Sequence, residues 1–130
     1  MNPYRKEIET MKKILVADDN PDIVDLLSSR LRANQYEVVT ADSGVNTLLR
    51  TIEEKPDLLI LDIKMPSGTG IGVYENLKRN SKTKDIPVIF ITAYASREIE
   101  EQVSRMGAEG FVAKPFDANI LMEMIQKTIG

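Results

Sequence analysis

The 130-residue chain is 42% hydrophobic and 28% charged, the proportions of one soluble globular domain with a core of its own. A formal charge of −3 gives no basic footprint for nucleic acid or an anionic membrane surface. With neither cysteine nor histidine, disulfides, thiolate metal sites and any use of an imidazole by this chain are excluded.

Residues 1–11 are polar and charged, with Ile8 and Met11 the only aliphatic side chains after the initiator. They are expected to be an N-terminal extension, a frayed tail or short extra helix, ahead of one domain over 12–130. They have no signal-peptide core, and no apolar run approaches the ~20 residues of a membrane span, so the expected location is cytoplasmic. A first apolar run at about 13–17 precedes Ile23, Leu26, Leu27 and Leu31, spaced as an amphipathic helix, with Asn20 as N-cap and Pro21 in the first turn. Glu37–Thr40 reads as a short strand. Val45, Leu48, Leu49 and Ile52 then stripe a second helix, which Pro56 stops.

Residues 58–61 are wholly apolar, as in a central parallel strand covered on both faces. Turn formers fill 63–70, a loop, and a helix is predicted over about 71–79. Pro87 opens a fourth apolar run. Ile99, Val103 and Met106 stripe the next helix, which Gly107 terminates. Phe111–Ala113 is a short fifth strand, and Ile120, Leu121, Met124 and Ile125 mark a last helix. Five strand–helix alternations predict an α/β fold: a doubly wound parallel sheet with right-handed crossovers and helices on both faces.

Polar side chains stand where four of these runs end: Asp18 and Asp19, Asp62, Thr92, and Lys114 followed by Pro115. In a parallel sheet all of them emerge at its carboxyl edge, where open α/β sheets place ligands. Three carboxylates gathered there repel one another unless a divalent cation joins them, which points to metal-assisted chemistry at Asp62. The simpler readings are a helix cap for Asp19, a cap or solvated loop acid for Asp62, a snorkelling Lys114 and plain packing for Phe111. Four such motifs in order weigh against them. The acidic turn after the first run is the opposite of a nucleotide binder's Gly-rich or hydroxyl-rich turn. Asn20 also breaks the pattern of a haloacid-dehalogenase-like phosphatase, which wants an acid two residues past its nucleophilic Asp.

The segments Val16-Ala17-Asp18-Asp19-Asn20-Pro21-Asp22, Leu59-Ile60-Leu61-Asp62-Ile63-Lys64-Met65-Pro66, Ile91-Thr92-Ala93 and Lys114-Pro115-Phe116 resemble the receiver domains of two-component response regulators. The resemblance covers about residues 12–130. It implies the flavodoxin-like strand order 2-1-3-4-5 of the chemotaxis receivers. It implies Asp62 as phosphoacceptor, a carboxylate attacking a donor with a good leaving group. Asp18, Asp19, Asp62 and the backbone carbonyl of Lys64 would hold Mg2+, with Mn2+ as a substitute. Thr92 and Lys114 would hold phosphoryl oxygens, and the Lys114–Pro115 bond would be cis. Thr92 and Phe111 would form the switch, the ring entering space that Thr92 vacates and so altering the face of the fourth helix, fifth strand and fifth helix. Phe111 lacks the hydroxyl that many receivers carry there.

Lys64 and Tyr94, two residues past Asp62 and Thr92, are expected to flank the attacking water and slow autodephosphorylation. Thr69 stands where an acid is frequent, with little expected consequence for the chemistry. Because the chain has no histidine, the phosphohistidine belongs to a partner: a sensor histidine kinase or a phosphotransfer protein. Other implied partners are a downstream target protein or a removed output domain, and a second copy in a homodimer formed on phosphorylation. The activity the resemblance implies is self-catalysed gain and loss of a phosphoryl group rather than substrate turnover. A stand-alone receiver or phosphorelay carrier is the reading preferred. The alternatives are an excised receiver of a longer DNA-binding or enzymatic regulator, and a pseudo-receiver that needs no phosphorylation.

Overall fold

The computed structural model describes residues 11–130; the expectation of a tail or extra helix over 1–11 falls almost wholly outside the described residues. Five strands alternate with five helices: β1 (Lys13–Ala17), α1 (Pro21–Ala33), β2 (Glu37–Ala41), α2 (Gly44–Glu54), β3 (Leu58–Asp62), α3 (Gly70–Arg79), β4 (Val88–Thr92), α4 (Arg97–Arg105), β5 (Gly110–Ala113) and α5 (Ala118–Ile129). All strand pairs are parallel, in the order β2-β1-β3-β4-β5. β3 and β4 are buried at every position, which is why their sequences are continuously apolar rather than alternating.

Because successive strand side chains point to opposite faces, the core divides in two. Ile14, Val16, Ile60, Ile89 and Ile91 pack with Leu27 and Leu31 of α1 and Leu121 and Ile125 of α5. Leu15, Leu59, Leu61, Val88 and Phe90 pack with Val73, Tyr74 and Leu77 of α3 and Val103 of α4. Register then sets the edge. Ala17 lies opposite Leu61, Asp62 opposite Ile91 and Thr92 opposite Ala113. Asp18, Asp62, Thr92 and Lys114 therefore leave the sheet within two residues of one level.

Helix boundaries follow local chemistry. Asn20 caps α1 by accepting from the Asp22 N–H, with Pro21 in the first turn. Lys55 ends α2 in the left-handed region (φ 49°), just before Pro56.

The expected stripes of α1 and α5 face the core with one exception each, and that of α2 buries a different face. Leu26 on α1 and Ile120 on α5 are 54% and 52% exposed. On α2, Val45, Leu49 and Ile52 are exposed, while Gly44, Thr47 and Thr51 are buried. The cause is close approach. A Cβ on Gly44 would lie 2.5 Å from the Ser67 carbonyl oxygen, so the start of the helix meets the loop after β3 without room for a side chain. The two threonines return their hydroxyls to the Ser43 and Thr47 carbonyls, at 2.7 and 2.6 Å, and present methyls to the core.

α3 begins at Gly70, one residue earlier than expected, because Thr69 caps it by accepting from the Gly72 N–H at 3.1 Å. A Cβ on Gly70 would lie 2.3 Å from the backbone carbonyl oxygen of Asp62. Gly70→Ala should therefore cost about 1–3 kcal/mol of stability and shift the Asp62 backbone. Chemical denaturation beside amide chemical shifts at Asp62 and Ile63 checks this; a wild-type midpoint with unmoved shifts would refute it.

Candidate functional site

Asp18 and Asp62 are 1% and 4% exposed, whereas Asp19 faces solvent. One carboxylate oxygen from each of the three acids lies within 4.8 Å of the other two. Each buried acid divides its oxygens in the same way. Asp18 Oδ1 accepts from the Asn20 N–H at 2.9 Å, and Asp62 Oδ1 from the Lys64 N–H at 3.2 Å. The other oxygen faces Lys114, whose Nζ donates to Asp18 Oδ2 at 2.7 Å and to Asp62 Oδ2 at 3.3 Å.

Three carboxylates against one ammonium leave two negative charges at the edge of a dry core. Burial first, and the charge of Asp18 second, push the Asp62 carboxyl up to about 6, against the pull of Lys114 and the Lys64 N–H. Burial also works against the Lys114 ammonium, yet the hydrogen bond and charge of Asp18, with Asp62 behind it, leave its pKa raised. All-oxygen donors with an unbalanced charge of −2 fit Mg2+, a hard divalent cation that keeps several waters.

Thr92 is fully buried at the end of β4, and its Oγ1 accepts from the Tyr94 N–H at 3.0 Å. The Lys114 N–H donates to the Thr92 carbonyl at 2.8 Å, which fixes the lysine's strand against β4, and the Lys114–Pro115 bond is cis. Lys64 and Tyr94, each two residues past a site residue, touch each other, the Lys64 Nζ 4.1 Å from the centre of the Tyr94 ring. Phe111 is half-buried against the α3–α4 side of the core; it pairs with Phe90, while Thr92 pairs with Ala113 two residues further on.

The structure thus brings Asp18, Asp19, Asp62 and Lys114 into one cluster. The Lys64 N–H joins it through Asp62, the Tyr94 N–H is held by Thr92 at the end of the neighbouring strand, and Phe111 packs against the core opposite Phe90. The sequence reading assigned no part to Asn20 beyond capping or to Gly70. The first had a visible signal, since an Asp in a turn readily accepts the backbone N–H two residues on. The second had none.

The chain matches the model of the response regulator receiver domain over residues 14–126. It belongs to that family. The receiver is 31% identical over 119 residues to the polar-differentiation response regulator DivK of Brucella abortus, covering 92% of this chain and 97% of that one. It is 34% identical over 116 residues to the DNA-binding dual master transcriptional regulator RpaA of Synechocystis, covering 89% of this chain but only 48% of RpaA, about half its length. Among solved structures, the chemotaxis protein CheY4 of Vibrio cholerae superposes with a TM-score of 0.85 at 30% identity, covering 92% of this receiver and all (100%) of CheY4. The response regulator TrrA of Thermotoga maritima, in complex with Mg2+ and beryllofluoride, superposes with a TM-score of 0.81 at 36% identity, covering 92% and 100%. The expected strand order is that of these receivers. No helix among the described residues is long and apolar enough to cross a membrane.

Proposed function

We propose that this receiver, residues 12–130, accepts a phosphoryl group on Asp62 from the phosphohistidine of a sensor kinase or phosphotransfer protein, and then loses it by hydrolysis. The observation that carries this reading is the Lys114 ammonium held between two buried carboxylates at the carboxyl edge of the sheet. An Asp62 carboxylate oxygen attacks phosphorus while the nitrogen–phosphorus bond breaks, and its electron pair leaves on the imidazole nitrogen. Lys114, freed from Asp62 as that oxygen is esterified, turns to a phosphoryl oxygen. The Thr92 hydroxyl donates to another. Mg2+, held by Asp18, Asp19, Asp62 and the Lys64 carbonyl, would supply positive charge to the remaining oxygen. The complex of TrrA with Mg2+ and beryllofluoride, a phosphoryl mimic, supports this use of the site.

Phosphorylation then biases a pre-existing equilibrium of the α4–β5–α5 face through Thr92 and Phe111, and a target protein reads that face. DivK and CheY4, each aligned over nearly its whole length, are relatives for a reading in which a separate target protein reads the receiver. Coverage of half of RpaA favours a second reading, the receiver part of a longer DNA-binding regulator.

Intact mass after incubation with Mg2+ and acetyl phosphate or phosphoramidate tests the proposal. The chain should gain one phosphoryl group and lose it with time; no gain would remove the reading in favour of a phosphorylation-independent module. Loss should be slow, because the Lys64 ammonium pairs with the phosphoryl group and the Tyr94 ring obstructs the path of water. Lys64→Ala and Tyr94→Ala should each speed it about two- to fivefold, the kinetic equivalent of one exposed contact worth about 0.5–1 kcal/mol. Decay of the phosphorylated mass measures this, and rapid decay indifferent to both changes would refute it.

A further inference from the structure

We infer that Lys64 and Tyr94 form a clasp over Asp62 that phosphorylation opens, which makes Tyr94 a moving side chain of the switch alongside Phe111. The inference rests on Asp62 being the phosphoacceptor. Two tethers hold Tyr94, and each leads to a group that the phosphoryl group would recruit. The first is the ring's contact with the Lys64 ammonium, 4.1 Å from its centre. Among the described residues this ammonium has no carboxylate partner, since the ion pairs there belong to Lys13, Arg97 and Lys114. The second is the Tyr94 N–H, which donates to Thr92 Oγ1 at 3.0 Å.

Lys64 is the second cation of the site. Lys114 already lies between Asp18 and Asp62, whereas the Lys64 ammonium rests on an aromatic face although the backbone N–H of the same residue donates to Asp62 Oδ1. A cation over an exposed ring is weakly held, and Tyr94 is 61% exposed. A dianionic phosphoryl group on Asp62 offers a charge-assisted hydrogen bond, which is stronger. The ammonium therefore transfers from ring to phosphoryl oxygen. The same event turns the Thr92 hydroxyl toward the phosphoryl group and withdraws its oxygen from the Tyr94 N–H. With both tethers gone, the ring turns away from its resting position while staying beside the path of water. Tyr94 lies two residues before Ser96, the N-cap of α4, so the movement occurs where the target-reading face begins.

The test is fluorine NMR of the chain labelled with 3-fluorotyrosine. It has four tyrosines, and Tyr94→Phe identifies the resonance in question. In the metal-free chain, Lys64→Met should move the Tyr94 resonance and leave the other three, while Lys64→Arg, which keeps a cation over the ring, should not. Adding Mg2+ and beryllofluoride should move the wild-type Tyr94 resonance, and move that of Lys64→Met less. A Tyr94 resonance identical in wild type and Lys64→Met overturns the clasp. A wild-type resonance unmoved by Mg2+ and beryllofluoride, in a chain that gains a phosphoryl group by mass, overturns its opening. No mass gain with acetyl phosphate overturns the acceptor reading and the opening with it, whereas the metal-free comparison reads the clasp without any donor.

Discussion

Asp62→Asn should abolish phosphoryl gain from acetyl phosphate and at the same time make the metal-free chain more stable. The first effect follows from removing the attacking carboxylate oxygen. The second follows from where that oxygen is kept. Burial and Asp18 raise the Asp62 carboxyl from 3.8 to about 6, so the folded chain binds its proton more tightly than the unfolded chain does. Below about pH 4 both states hold the proton and the site costs nothing. As pH rises through about 4 to 6 the unfolded chain releases it first, and stability falls by up to about 3 kcal/mol, complete above pH 6. An amide has no charge to bury, yet it cannot serve both the Lys64 N–H and the Lys114 ammonium equally well. The net gain expected for Asp62→Asn at pH 7.5 is therefore about 1–2 kcal/mol, vanishing near pH 4. Urea denaturation at both pH values measures it. Equal stability of the two chains at pH 7.5 would mean that Asp62 is not strained by its surroundings. Mg2+ should narrow the gap from the other side, by binding the native wild-type chain more tightly than the amide variant, which lacks one of the three carboxylates.

The alternation of strands and helices could be read from the sequence because each central strand is covered on both faces and so is written as an unbroken apolar run, Leu58–Leu61 and Val88–Ile91 most clearly. The same runs made the site legible, since a polar residue ending a buried strand has only the sheet edge to go to. Helix faces were less legible. On α2 the residues against the core are Gly44, Thr47 and Thr51, and the larger apolar side chains look outward. A pattern reading ranks Val45, Leu49 and Ile52 as core because it weighs hydrophobicity and not the room available, which here is set by a backbone some twenty residues away in sequence. The contacts inside the site were hidden for a related reason. That Lys114 bridges Asp18 and Asp62, or that Lys64 rests on Tyr94, depends on rotamers chosen between segments distant in the chain, and no spacing encodes them.

Lys114→Ala should have the largest effect on the fold. The Lys114 side chain is 14% exposed, while those of Asp18 and Asp62 are 0% and 6% exposed, so its removal leaves two buried carboxylates facing each other. Breaking a buried ion pair from one side commonly costs about 3–5 kcal/mol, because the surviving charge is left without a partner. Here one of the two acids can take up a proton instead, which limits the loss to about 2–4 kcal/mol at pH 7.5 in the absence of metal. The sign of its pH dependence is opposite to that of ordinary acid denaturation. The penalty is relieved by protonation of Asp62, whose carboxyl already titrates upward, so it shrinks as pH falls toward 5, and Mg2+ should also reduce it by replacing the missing positive charge. Phosphoryl gain should fall by about 100-fold or more, since a phosphoryl oxygen loses its ammonium. A surface lysine merely resting on the protein would change stability by about 0.5 kcal/mol or less, with no response to Mg2+. The double variant Asp62→Asn/Lys114→Ala separates the causes: with one acid neutral, removing the lysine should cost about 1–3 kcal/mol less than it does in the wild-type background. Strict additivity of the two changes would show that Lys114 acts through packing of its stem and not through the charges of Asp18 and Asp62.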